Sequence, residues 1–207
     1  MIWQGMVNRV RDGKNYTIEA FGADVAAVVN KLGLRHAILI GHSMGGDVIA
    51  AAAGILTHEQ IAGLVMVDTY KKLGPGRTPE QVEAFVSRFR TDFRDSVNSF
   101  VRAIFSPQAD SALVNWVSND MASAPPDIAL SALESSFSYS REITKALSEA
   151  KLPVIAINSD NAPTDLVSMH QYGVDVMIIP HVGHFVMMED SRKFNEVLQT
   201  VIKKLEK

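Results

Sequence analysis

The stretch "ILIGHSMGGDV", residues 38–48, decides how the rest of the chain is read. A short apolar run, "HAILIG" (36–41), leads into a histidine and a serine flanked by glycines, after which the composition turns helix-forming. A serine hydroxyl attacks carbonyl carbon only when a base removes its proton and the backbone presents it clear of the chain. A sharp strand-to-helix turn gives that exposure, and Gly41 and Gly45, two residues either side of Ser43, fit such a turn. The backbone N–H of Met44 then lies at the positive end of a helix, placed to stabilise an oxyanion. A nucleotide-binding turn is a poorer fit, because "GHSMGG" lacks the Gly-x-Gly-x-x-Gly spacing and no phosphate-binding lysine follows.

Outward from this turn, strand and helix patterns alternate. Thr17 can cap a helix with apolar positions Ile18, Phe21, Val25, Val28, Val29 and Leu32, stopped by Gly33. "IAGLVMVD" (61–68), "LPVIAINSD" (152–160) and "VDVMIIP" (174–180) read as further buried strands. Asp190 or Ser191 starts a final helix with the stripe Phe194, Val197, Leu198, Val201, Ile202 and Leu205. This order implies an α/β fold with a mostly parallel sheet. Residues 69–151 carry no strand pattern. Thr78-Pro79-Glu80 opens helical stretches near 79–105, 110–122 and 127–149. The expected organisation is a core from 1–68 and 152–207 with a helical cap, 69–151, inserted between strands.

Composition narrows the chemistry. Apolar residues make up 47% of the 207, and net charge is −3 with 20 scattered basic residues. That opposes a nucleic-acid partner, which needs a concentrated positive face. With no cysteine, thiol nucleophiles, disulfides and cysteine-ligated zinc are excluded. The apolar run 48–56 is too short to span a bilayer, and the N-terminus lacks a signal-peptide core, so a cytoplasmic location without membrane association is expected. Histidines and carboxylates show no metal-ligand spacing, and no cofactor is expected.

The base should follow the serine in the chain. Of six histidines, His184 sits in the loop after the fourth strand, on the sheet edge that carries the elbow. His181 is the alternative in that loop. His42 would point away from the serine's face and pack, while His36, His58 and His170 lie at strand starts or in polar stretches. For the acid that orients the imidazole, Asp160 at the end of the third strand leads, with Asp68 and Asp165 also able to reach that edge.

These features resemble the α/β-hydrolase family, in particular its capped esterase-like members. "GHSMGG" (41–46), "INSDNAPTD" (157–165), "GVDVMIIPHVGHFVMMED" (173–190) and "YTIEAFGADVAAVVNKLGL" (16–34) carry the resemblance. It implies a triad of Ser43, Asp160 and His184. Members normally have several strands before the first helix, and a loop there supplies a second oxyanion N–H. Here only "MIWQGMVNRVRDGKN" precedes it, and no such motif is found. Two expectations follow: an apolar sheet edge suited to pairing with a second copy as a homodimer, and turnover lower by roughly 10²–10³ for want of one donor. The expected function is cleavage of a small carboxylic ester through an acyl-enzyme. Phe85, Phe89 and Phe137 of the insertion are candidate substrate contacts. The competing readings are a non-catalytic remnant or ligand-binding module, and carbon–carbon hydrolysis, acyl transfer or perhydrolysis by the same triad.

Overall fold

The structure, a computed structural model, describes residues 16–206. Residues 1–15, on which the expectation about the second oxyanion donor falls, lie outside the described residues.

Four parallel strands form one sheet in the order β1 (Ala37–His42), β2 (Ile61–Val67), β3 (Val154–Ser159), β4 (Val174–Ile179). Alternation along the central strands feeds two cores. Leu64, Met66, Val154 and Ala156 face a cluster with Ile18, Val29, Ile49 and Ile143. Val65, Val67, Ile155 and Ile157 face Phe194, Val197, Val201 and Leu205. Helices cover both faces, as parallel strands require.

The first helix, α1 (Ile18–Leu32), has the expected ends. The Thr17 hydroxyl accepts from Ala20 N–H, and Gly33, at φ 62°, donates to Asn30 and is followed by a bond from Leu34 N–H to Val29. Its buried face differs from the expected stripe: Val28 and Leu32 are exposed, whereas Gly22 and Ala26 are buried. A Cβ on Gly22 would stand 2.7 Å from that of Ala51. Close packing of α1 on α2 (Met44–Ala53) therefore selects small residues over large ones.

Among the described residues β1 is an edge strand paired only with β2, and Ile40 on it is 44% exposed.

Between β2 and β3 lie α3 (Pro79–Thr91), α4 (Phe93–Ile104), α5 (Ser111–Ala122), α6 (Pro126–Tyr139) and α7 (Ile143–Ala150). Thr78 and Gln81 form a reciprocal capping box at α3. Asp92 breaks the first expected stretch by capping α4. α3 to α5 enclose their own core of Phe89, Val97, Val101, Phe105, Val114 and Val117. α7 stands apart from that cluster: Ile143, Leu147 and Ala150 pack in the core beside α2. The chain closes with α8 (Leu166–Gln171), the short α9 (Val186–Glu189) and α10 (Ser191–Leu205), which Asp190 caps.

Candidate active site

Ser43 stands between β1 and α2 with φ 54° and ψ −124°, a strained conformation for a non-glycine residue. Its hydroxyl makes no capping bond to its own helix. The backbone holds the turn instead: Ser43 N–H donates to Val67 O at 2.9 Å, and Gly46 N–H donates to Ser43 O at 2.9 Å. A Cβ on Gly41 would lie 2.1 Å from the Gly45 carbonyl, so that glycine is required. The second steric requirement falls on Gly46, whose Cβ would meet the Thr69 hydroxyl at 2.1 Å, whereas at Gly45 a Cβ would find open space. Met44 is the first residue of α2, where its N–H adjoins the serine.

His184 lies in the loop after β4, and its Nδ1–H donates to Asp68 Oδ2 at 2.8 Å. The carboxylate thus fixes the tautomer and leaves Nε2 as the ring's acceptor. Asp160, expected in this place, is not the partner of His184. Its Oδ1 accepts from the backbone N–H of His181 at 2.8 Å, in an exposed position. Register explains the difference. β2 pairs directly with β1, so Asp68 is the neighbour of the elbow, whereas Asp160 ends β3, one strand further away and against β4. Asp165 caps α8 by accepting from Ser168 N–H.

Asp68 is itself strained, at φ 48°, and 6% exposed. Oδ1 accepts from Ser159 N–H at 2.7 Å and from Lys71 Nζ at 2.6 Å. Burial alone would raise its pKa. The bonds from His184 and Lys71, the lysine's charge and the Ser159 N–H outweigh this and hold the carboxyl at about 2.

His42 was expected to point away and pack. Its ring lies 4.6 Å from that of His184, and its Nε2–H donates to the His184 carbonyl at 2.8 Å. Burial first, and His184 second, lower its pKa to about 4, so it is neutral near pH 7. A second support comes from the cap. His184 N–H donates to Ile104 O at 2.7 Å, and Glu189 accepts from both Gly183 N–H and Ser106 N–H. A Cβ on Gly183 would lie 2.4 Å from Ser106 N, so this approach needs glycine.

The remaining histidines lie elsewhere: His36 is exposed before β1, His58 bonds the Ala150 carbonyl, and His170 lies in the last turn of α8. The expected substrate phenylalanines pack with one another. Phe85 stacks on Phe137 at 4.2 Å, and Phe89 is 2% exposed within the cap core. Phe185 is the aromatic beside the two histidines, 5.4 Å from each ring and stacked on Phe105. Among the described residues no group of three metal-ligating side chains converges, and no helix is long and apolar enough to cross a membrane.

A sequence model of the alpha/beta hydrolase family matches residues 4–197. A serine hydrolase-like protein from Danio rerio is 32% identical over 93 residues, 45% of this chain and 27% of that protein. The match thus spans about a quarter of the length of that curated relative. Among solved structures, a bromoperoxidase from Bacillus anthracis (19% identical, TM-score 0.76) is similar over 94% of this chain and 77% of its own. A hydrolase from Oleispira antarctica (16%, TM-score 0.79) covers 95% and 76%. An esterase from Exiguobacterium antarcticum (15%, TM-score 0.76) covers 92% and 75%. At these identities the structures establish shared fold. With the family match spanning nearly the whole chain, and with this sheet, elbow and histidine loop, the chain belongs to the alpha/beta hydrolase family.

Proposed function

We propose that the chain is a serine hydrolase of carboxylic esters, working through an acyl-enzyme on Ser43 with His184 as base and Asp68 as the orienting acid. The observation that carries this reading is the 2.8 Å bond from His184 Nδ1 to the buried Asp68, at the sheet edge that bears the strained Ser43. In the first half-reaction His184 Nε2 takes the Ser43 proton as Oγ bonds to the acyl carbon. The tetrahedral intermediate then collapses, the C–O bond to the alcohol breaks, and the alcohol leaves with the proton from Nε2. Water attacks the acyl-enzyme by the same proton path and releases the acid. Asp68 stays ionised throughout and stabilises the imidazolium. The Met44 N–H and the start of α2 face the oxyanion. Phe185 and Phe105 form an apolar wall beside the histidines, which suits an apolar acyl or alcohol group.

The test is labelling by a fluorophosphonate, read by intact mass. One adduct is expected on the wild-type protein, none on Ser43→Ala, and strongly reduced labelling on His184→Ala. Folded wild-type protein that takes no label would refute the reading and favour a non-catalytic binding module.

A further inference from the structure

Lys71 has no place in the triad, yet its side chain is turned inward onto it. Nζ donates to Asp68 Oδ1 at 2.6 Å, to the Ser159 carbonyl at 2.6 Å and to Ser159 Oγ at 2.9 Å. Those three acceptors use all three ammonium protons. The side chain is 22% exposed against 3% for its partner, so this is not a solvated surface pair. The backbone is anchored as well: Asp165 N–H donates to Lys71 O at 2.7 Å.

Resting on the hydrolase reading above, we propose that Lys71 is a positioning residue that locks the Asp68 carboxylate toward His184 and moderates how strongly that carboxylate favours the protonated imidazole. Two physical effects lie behind this. With Oδ1 held by Lys71 and Ser159, the carboxylate cannot rotate, and Oδ2 is left aimed at Nδ1. The ammonium also neutralises part of the charge that the imidazolium would otherwise feel undiluted.

The other groups around His184 are accounted for. His42, from the end of β1, is neutral near pH 7 and bonded to the His184 carbonyl. Asp160, after β3, is on His181 N–H. Glu189, on α9, is on Gly183 and Ser106 N–H. The cap presents the Ile104 carbonyl and Phe105, neither of which titrates.

The experiment follows the rate of fluorophosphonate labelling against pH for wild type, Lys71→Met and Lys71→Arg, each normalised to its own plateau. In Lys71→Met the acid limb is expected to move up by about one pH unit, a roughly tenfold relative loss on the acid side, while Lys71→Arg stays near wild type. A merely structural role would lower the plateau without moving the limb. In parallel, the His184 ring resonances are titrated by NMR in Ser43→Ala with and without Lys71→Met, where the same upward displacement is expected. Lys71→Gln replaces Lys71→Met if the latter does not fold. A limb and an NMR midpoint that stay put, or that move down, overturn the proposal. A displaced NMR midpoint in a protein that takes no label upholds the Lys71 linkage and refutes the hydrolase reading.

Discussion

Replacing Asp68 by Asn separates the two carboxylates that compete for the orienting role. In the folded protein Asp68 accepts from His184 at 2.8 Å, Lys71 at 2.6 Å and Ser159 at 2.7 Å. Its pKa is thereby lowered from 3.8 to about 2. A depressed carboxylate contributes stability that is present above its unfolded pKa, near 4, and is lost as pH falls toward 2. At about 1.4 kcal/mol per pKa unit, the contribution at neutral pH is about 2 kcal/mol. Asp68→Asn should forfeit about that much, lowering Tm by roughly 4–8 °C for a domain of this size. The effect on catalysis is far larger. An amide can offer its N–H to Nδ1, which favours the wrong tautomer and puts the proton on Nε2. Such a change costs on the order of 10⁴ in kcat, about 5 kcal/mol of barrier. Hydrolysis of an activated aryl ester and thermal unfolding, measured on Asp68→Asn and Asp160→Asn, give both numbers. Asp160 holds only a backbone N–H, and its substitution is expected to change activity less than about threefold. An inactive Asp160→Asn beside an active Asp68→Asn would refute the reasoning.

Two further outcomes follow from the neighbourhood of the elbow. Asp47 is 2% exposed, and burial raises its pKa to about 6 against the lowering bonds from Ser136 and Tyr70 and the charge of Arg77. A raised carboxyl contributes stability that is full below its unfolded pKa and is lost as pH rises through about 6. The wild type should therefore lose about 3 kcal/mol between pH 4 and 7 from this group, and thermal melts of Asp47→Asn should show that part of the slope removed. At the turn itself, Gly46→Ala drives a methyl into Thr69 and should cost about 1–3 kcal/mol, while Gly45→Ala should be neutral or stabilising. Urea unfolding of the two variants measures the contrast, and equal effects would contradict it.

Local features were legible because their causes are local. Thr17 and Gly33 delimit α1, Thr78-Pro79 opens α3 and Asp190 caps α10, each through bonds that span a few residues. The elbow belongs to the same class. Its strand, serine and glycines are contiguous, although the crowded position is Gly46 and not Gly45, because the crowding atom belongs to Thr69 in another loop. His42 escaped because strand alternation stops at a positive-φ residue. With Ser43 at φ 54°, the neighbouring ring ends beside His184. The acid depends on strand order. Asp68 and Asp160 both end strands in the sequence, and only the placement of β2 beside β1 separates them. Asp47 reads as an ordinary first-turn acid until Ser136, 89 residues later, closes over it.

The same non-local bonds tie the site to the cap. The His184 loop is held from the sheet side by Asp68 and His42, and from the cap side by Ile104 and, through Glu189, Ser106. The cap holds the other side of the elbow too, since Ser136 on α6 donates to Asp47 in the first turn of α2. Serine and histidine thus stand on separate loops, and each loop is clamped between the sheet and a different cap helix. Of the five non-glycine residues with positive φ among those described, three, Ser43, Asp68 and His181, follow the ends of β1, β2 and β4, while His36 and Lys151 precede β1 and β3. Such conformations cost about 1–3 kcal/mol each and persist only where surrounding bonds over-determine them. Ser43 meets that condition through Val67 and Gly46, Asp68 through Ile157, Ser159 and Lys71, and His181 through Asp160. The carboxylate expected to orient the base therefore has a different task, holding the backbone at the entrance to the histidine loop.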